Sequence, residues 1–308
     1  MTADPLSEAL AVADARSVFS GGFTAGGTWA IRLSGRDKLK VNTVVRGSCL
    51  LVREDGGEPL KLSEGDVVVS DGRQPYVLCS ELGVEPLDSA DVTVDPVTRT
   101  ARLGDGTGED VSCVSGHIDL SRDSGELLRR ALPELIHVRS EAAEASALRW
   151  LIGLLAEEMT TRRAGVEFAS DQLAQLMFVQ VLRVCLVESE GLPPGWLRAL
   201  ADERLAPALR LMHGDPGHSW RLEDLARAAA MSRTTFAVRF KEAAGVPPLT
   251  YLLNWRMSLA ARALRQDTVS VAALARSVGY TSESAFSNAF KRALGVAPRR
   301  YREAAARS

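Results

Sequence analysis

The sequence predicts a two-domain α+β protein: a β-rich N-terminal barrel with a helical subdomain, then an all-α C-terminal region built from two helix-turn-helix units. Three observations predict this. Alternating and β-branched runs end by Gly116, helical periodicity replaces them from Glu126 onward, and one segment of the last hundred residues occurs twice.

Composition sets the frame. With 308 residues, 46% of them hydrophobic and 25% charged, the chain can bury two cores and reads as globular rather than disordered or fibrous. No stretch approaches the roughly 18 uninterrupted apolar residues of a membrane span, and Met1 to Glu8 carries acids where a secretory signal carries basic residues. A cytoplasmic protein with no membrane partner is expected. Cys49, Cys79, Cys113 and Cys185 form no C-x-x-C pair, so neither a zinc cage nor a disulfide framework is indicated. Small buried hydrophobes in a reducing compartment fit them better.

The net charge of -2 hides a division at Ala201. From Asp202 to Ser308 there are 17 Lys and Arg against 9 Asp and Glu, a net of +8, which leaves 20 against 30, or -10, ahead of it. A basic C-terminal part suits a polyanion partner, and an acidic remainder discourages indiscriminate sticking.

Along the chain, a short helix is expected at Pro5 to Ala15. Strands follow between Thr28 and Gly116 in runs such as TWAIRL, LKVNTVV, SCLLVRE and GDVVVS, separated by Gly, Asp and Pro clusters. Many short strands at that spacing predict a sandwich or barrel. Helices are expected at Ala145 to Met159 and Ser170 to Val187. The second is nearly all apolar from Leu173, so it should be buried in a core or a dimer interface. The expected domains are 1–135, a helical linker or dimerisation region 136–201, and 202–308.

The repeat carries the functional reading. LEDLARAAAMSRTTFAVRFKEAAGVPP from Leu222 matches VAALARSVGYTSESAFSNAFKRALGVAP from Val271, at an offset of 49 for Leu225-Ala226-Arg227 and 50 from Phe236 on. The second turn is therefore one residue longer. Each copy reads as helix, tight turn and second helix, N-capped by Ser232 or Ser282 and closed by Gly245 or Gly295. Phe236 and Phe240, like Phe286 and Phe290, stand four apart and pack inward. The opposite faces carry Arg233, Thr234, Ala237, Val238 and Lys241 in one copy, and Glu283, Ser284, Ser287, Asn288 and Lys291 in the other. Leu249 to Arg265 joins the copies as one helix, roughly 25 Å long at 1.5 Å per residue.

The segment ARSVGYTSESAFSNAFKRALGVAPRRYR, Ala275 to Arg302, resembles the signature of the AraC family of transcription regulators, and the first copy is similar to that family's more variable partner motif. The resemblance implies a double helix-turn-helix domain in which the second helix of each copy enters the major groove of double-stranded DNA. Carried over position by position, it makes Thr234, Ala237, Val238, Glu283, Ser284, Ser287 and Asn288 base-facing. Arg233, Arg239, Lys241, Lys291, Arg292 and Arg299 fall nearer the backbone.

Leu39 to Leu78, with SGHIDL at Ser115, is similar to the cupin-type sensor barrel that often precedes this domain. It departs from the metal-binding pattern: Asn42 and Tyr76 stand where histidines are usual, and Asp71 and Arg73 replace a Pro and a Gly. No metal, cofactor or catalytic residue is expected. Trp29, Asn42, Tyr76 and His117 are the candidates for lining an effector pocket, aromatic walls with a few polar groups suiting a small ligand. The reading is thus a sequence-specific regulator controlled by a small-molecule effector, with a second copy of the chain and RNA polymerase as further partners. Its alternatives are a regulator switched by cysteine oxidation and a cupin-type enzyme with an accessory DNA-binding domain.

Overall fold

The computed structural model describes residues 4–34, 38–121, 125–161, 163–266 and 269–305. In chain order the first half holds α1 (Pro5–Ala13), β1 (Arg16–Ala25), β2 (Ala30–Leu33), β3 (Leu39–Arg46), β4 (Ser48–Arg53), β5 (Leu60–Ser63), β6 (Val67–Ser70), β7 (Tyr76–Cys79), β8 (Leu87–Asp88), β9 (Thr100–Leu103), β10 (Val111–Asp119), α2 (Gly125–Ala131) and β11 (Leu135–Val138). The second half is helical: α3 (Ser146–Thr161), α4 (Val166–Val187), α5 (Trp196–Ala201), α6 (Ala206–Gly214), α7 (Leu222–Ala228), α8 (Arg233–Ala244), α9 (Pro248–Arg265), α10 (Val271–Ser277), α11 (Glu283–Leu294) and α12 (Pro298–Ala305).

These elements form two compact units whose boundaries differ from 1–135, 136–201 and 202–308. One unit comprises Arg16–Asp119 and Leu132–Glu188; the other gathers Met1–Ala15, Leu120–Ala131 and Ser189–Ser308. The helix at the start of the chain therefore belongs with the C-terminal helices. The physical reason is packing: Leu6, Ala9, Leu10, Val12 and Ala13 are buried in a unit where α1 meets α2, α6 and α9.

The first unit is a barrel of two facing sheets. One has the order β11-β6-β3-β10-β1-β9 and the other β5-β4-β7-β2-β8. Period-two alternation sends Phe23, Trp29, Leu51, Leu62, Leu78 and Cys113 into the space between them. Two strands lie outside the range expected from sequence. β1 carries Gly21-Gly22, which reads locally as a break, yet a Cβ at Gly22 would fall 2.3 Å from the Cys113 carbonyl oxygen, so glycine is what lets β1 approach β10. β11, beyond the point where strands were expected to stop, pairs with β6 from Leu135–Ser70 to Val138–Val67.

Helices α3 and α4 pack on this unit. The β1 backbone at Ser17 and Phe19 donates to Gln175 Oε1 and Asp171 Oδ1 of α4, both at 2.8 Å, which satisfies amides that lie beyond the stretch paired to β9. α4 is, among the described residues, the one helix long and apolar enough to cross a membrane by length and composition. It is not buried all round as expected: Met177, Phe178, Val181, Leu182, Val184 and Cys185 are covered, whereas Phe168, Leu176 and Val187 are exposed, as is Trp150 of α3.

In the second unit, His213 of α6 stacks on Trp255 of α9 at 3.9 Å between ring centroids and shares a hydrogen bond with the Tyr251 hydroxyl at 2.7 Å. Its Nδ1 lies 3.4 Å from the Glu8 carboxylate, and burial holds the imidazole below its ordinary pKa. Arg265 donates to the Val12 carbonyl, which ties α9 to α1 as Glu8 and His213 tie α1 to α6.

Candidate nucleic-acid interface

The two helix-turn-helix units are α7–α8 and α10–α11. Ser232 and Ser282 sit in extended conformations ahead of the second helices, and their hydroxyl oxygens accept from the Thr235 and Ala285 amides, each at 3.2 Å. Gly245 and Gly295 close the helices at φ +75° and +80°. Phe236, Phe240, Phe286 and Phe290 are all fully buried. Their partners also repeat: Phe240 meets Tyr251 edge-on at 5.6 Å, and Phe290 meets Tyr301 at 5.4 Å. The two tyrosines stand 50 apart, so this equivalence was present in the sequence just past the segments compared.

The turns differ by the extra residue expected. Four residues separate α7 from α8 and five separate α10 from α11. The left-handed position is filled by Gly279 at φ +85° in the longer turn and by Ala230 at φ +50° in the shorter. A side chain in that region costs roughly 1–2 kcal/mol, against roughly 0.5–1 kcal/mol for the extra freedom of an unfolded glycine. Ala230→Gly is therefore expected to stabilise the unit by up to about 1 kcal/mol, read as a higher urea midpoint at unchanged slope.

Arg256 of α9 ties the two units together. Its Nε donates to the Pro216 carbonyl at 2.6 Å and its Nη2 to that of His218 at 2.8 Å, in the loop before α7. A Cβ on Gly279 would fall 2.5 Å from the Gly217 carbonyl oxygen and 3.0 Å from that Nη2, so this glycine serves the cross-unit contact as well as its own turn.

The faces opposite the phenylalanines are open. Arg233, Thr234, Val238 and Lys241 on α8, and Ser284, Asn288, Lys291 and Arg292 on α11, are exposed, while Ala237, Glu283 and Ser287 are half-buried at the flanks. Three basic candidates come with acidic partners: Arg233 bonds Glu223 at 2.9 Å, exposed Arg299 of α12 lies 3.4 Å from Glu283, and Arg239 bonds Asp202. The Arg233 guanidinium holds the Glu223 carboxyl below its usual range. Arg239 separates from the group. It is on the other flank of α8, with its Nε 2.6 Å from Asp202 Oδ2, and serves to fasten the helix to the end of α5.

Comparison with known proteins bears on what this geometry is for. A cupin family profile matches residues 4–187, and a helix-turn-helix domain profile matches 225–304. The chain is 40% identical over 300 residues to a putative AraC-like transcription regulator of Streptomyces antibioticus, covering 97% of this chain and 98% of that one. The corresponding protein of Streptomyces lividans is 39% identical over 300 residues, with the same coverage. This chain belongs to the AraC family of transcription regulators. It is also 30% identical over 285 residues to the regulator AlkR of Acinetobacter baylyi, covering 90% of this chain and 92% of that one.

In this AraC-family chain the four residues expected to line a barrel pocket divide. Trp29 and Tyr76 are core: Trp29 meets Phe23 edge-on at 5.3 Å, and burial raises the Tyr76 phenol above its ordinary pKa. Asn42 is buried, donates to the Tyr76 hydroxyl and accepts from Ser115 at 2.7 Å. Of the four, Asn42 faces a cavity of about 200 Å³ that also touches Ser20, Phe23, Ile31, Lys40, Arg99 and Ser115, whereas His117 lines a separate, smaller one with Val41, Leu155 and Met177. His117 sits at the same end of β10, with Lys38 Nζ 3.0 Å from its Nε2 and Ser20 Oγ 2.9 Å from its Nδ1. Lys40, Arg99 and Ser115 were missed because a rim cation looks like any surface charge until the strand register is known.

Two alternative readings meet the same geometry. All four cysteines are buried; a contact with Cys49, then burial, raises the Cys113 thiol, burial raises Cys79, and burial pushes Cys185 up to about 12. Such thiols are poor nucleophiles at neutral pH, which opposes a cysteine switch. At the cupin metal positions Asn42 and Tyr76 are bonded to each other. Among the described residues no group of three or more His, Cys, Asp or Glu is placed to hold a metal ion.

Proposed function

We propose that α8 and α11 read two successive major-groove segments on one face of a duplex. The observation that supports this most directly is the pair of capped, phenylalanine-backed helices with open polar faces, tied together by Arg256 and by α9, whose 18 residues span roughly 27 Å at 1.5 Å per residue. In this reading Thr234, Ala237, Val238, Glu283, Ser284, Ser287 and Asn288 meet base edges, and Arg233, Lys241, Lys291, Arg292 and Arg299 meet phosphates. Ala237 and Val238 offer only apolar contact to thymine methyls, so α11 supplies most of the hydrogen-bonded readout. An effector in the N-terminal barrel controls binding. A second copy docks through α3 and α4, which expose Trp150, Phe168, Leu176 and Val187.

Selection of genomic fragments by the purified chain, followed by sequencing, tests the reading. One motif spanning two adjacent segments is expected. Asn288→Ala should weaken its binding by about 1–3 kcal/mol and relax the choice of base at one position, adenine being the base an asparagine reads by two bonds. Absence of any enriched motif at physiological salt, with and without cell extract as a source of effector, opposes it.

A further inference from the structure

The two helix-turn-helix units meet through backbone as well as through α9. The loop from Asp215 to Trp220, which leads into α7, passes the turn between α10 and α11 so closely that neither side has room for a side chain. A Cβ on Gly217 would fall 2.7 Å from the Ser277 carbonyl oxygen, and one on Gly279 would fall 2.5 Å from that of Gly217. Gly279 is also required by its own left-handed φ. Gly217 has no such φ, so the close approach is what calls for glycine there.

The loop is braced from within. The His218 amide donates to Asp215 Oδ1 at 3.1 Å, Trp220 Nε1 donates to the Asp215 carbonyl at 2.9 Å, and the two rings lie 4.3 Å apart. Arg256 then grips the carbonyls on either side of Gly217, those of Pro216 and His218. Two donors of one planar fork fix an orientation that a single bond would leave free to pivot. Both partners of this contact continue into reading helices. On one side α7 follows, and its Glu223 bonds Arg233 of α8 at 2.9 Å. On the other, Tyr280, next to Gly279, meets Phe286 of α11 edge-on at 5.6 Å.

We propose that Arg256, acting through Gly217 and Gly279, sets the spacing between the two DNA segments that one chain accepts. It is a positioning residue that determines specificity through the backbone, its guanidinium being engaged by carbonyls. The proposal rests on the two-segment reading and adds what fixes the geometry of that reading. Each unit has its own buried phenylalanine pair, so the contact between them is not needed to build either one. α9 separates the units by its length; the bonds beside Gly217 stop them from turning relative to each other. That rotation is what a duplex measures, because one base pair more between the segments moves the second by about 3.4 Å and turns it by about 35°.

The test is binding of the full chain to three duplexes: the operator recovered by selection, and the same sequence with one base pair inserted or removed between the segments under α8 and α11. The native chain should bind the altered duplexes about tenfold or more weakly, as when the contacts of one segment are misplaced. In Arg256→Met, which removes both bonds, and in Gly217→Ala, which pushes the loop off the turn, that penalty should shrink by about threefold or more. Leu197→Val, buried in α5 outside this contact, is the control. Lost stability alone weakens all three duplexes alike and leaves the penalty in place. A penalty that stays within about threefold of the native one in either variant, one that shrinks equally in Leu197→Val, or equal binding of the three duplexes by the native chain overturns the proposal. The selected operator separates the two readings: two segments whose penalty survives in the variants keep the two-segment reading and remove the role of Arg256, whereas a one-segment operator removes both.

Discussion

Phe290→Ala is expected to destabilise the C-terminal unit by about 3–5 kcal/mol, the cost of emptying a fully buried aromatic site that its surroundings cannot refill. Phe290 is shielded from solvent, lies 5.7 Å from Phe286 and 5.4 Å from Tyr301, and belongs to a cluster that includes Leu264 of α9, Leu274 of α10 and Val278. Three helices and the turn of the second unit therefore lose a common partner. For a unit of this size the melting temperature should fall by on the order of 15 °C. Val238→Ala, at a position 53% exposed, is the control and should stay within about 0.5 kcal/mol of the native chain. Equal melting temperatures for the two variants would contradict the assignment of inner and outer faces.

The second large effect is on DNA. Lys241, Lys291 and Arg292 are exposed on the two reading helices. If each neutralises one phosphate, the triple alanine variant loses three released counterions, and the slope of log affinity against log salt should shrink by roughly 2.7. At physiological salt this corresponds to roughly a hundredfold weaker binding, alike for operator and unrelated sequence. Position 242, the equivalent of Arg292 in the first copy, is Glu, so α11 should account for more of the lost slope than α8. An unchanged slope would place these cations in solvent rather than on the duplex.

Much of this was legible in the chain. The repeat, the serine and glycine caps and the four-residue spacing of the phenylalanines are local signals, and local signals survive without knowledge of the fold. What escaped was non-local. β1 was hidden because Gly21-Gly22 reads as a break until Cys113 and Arg99 are seen to crowd it. Helix α1 joins the DNA-binding unit through contacts such as Val12 with Arg265 and Glu8 with His213, which span more than 200 residues and leave no periodicity to read. Trp29 and Tyr76 have the composition of a pocket wall and turned out to fill the core, whereas Lys40 and Arg99, undistinguished as residues, face the cavity because of register and a single strained turn. Arg239 shows the same limit: helical spacing put it among the basic candidates, and only the position of Asp202 reveals its partner.

The central claim, that one chain reads two successive major-groove segments through α8 and α11, is tested most directly by hydroxyl-radical footprinting of the full chain on its selected operator. The account predicts two protected segments on one face of the duplex, centred roughly 10 base pairs apart for each bound chain, with the segment under α11 lost in Asn288→Ala before the other. A single protected segment per chain, or two on opposite faces, would contradict it.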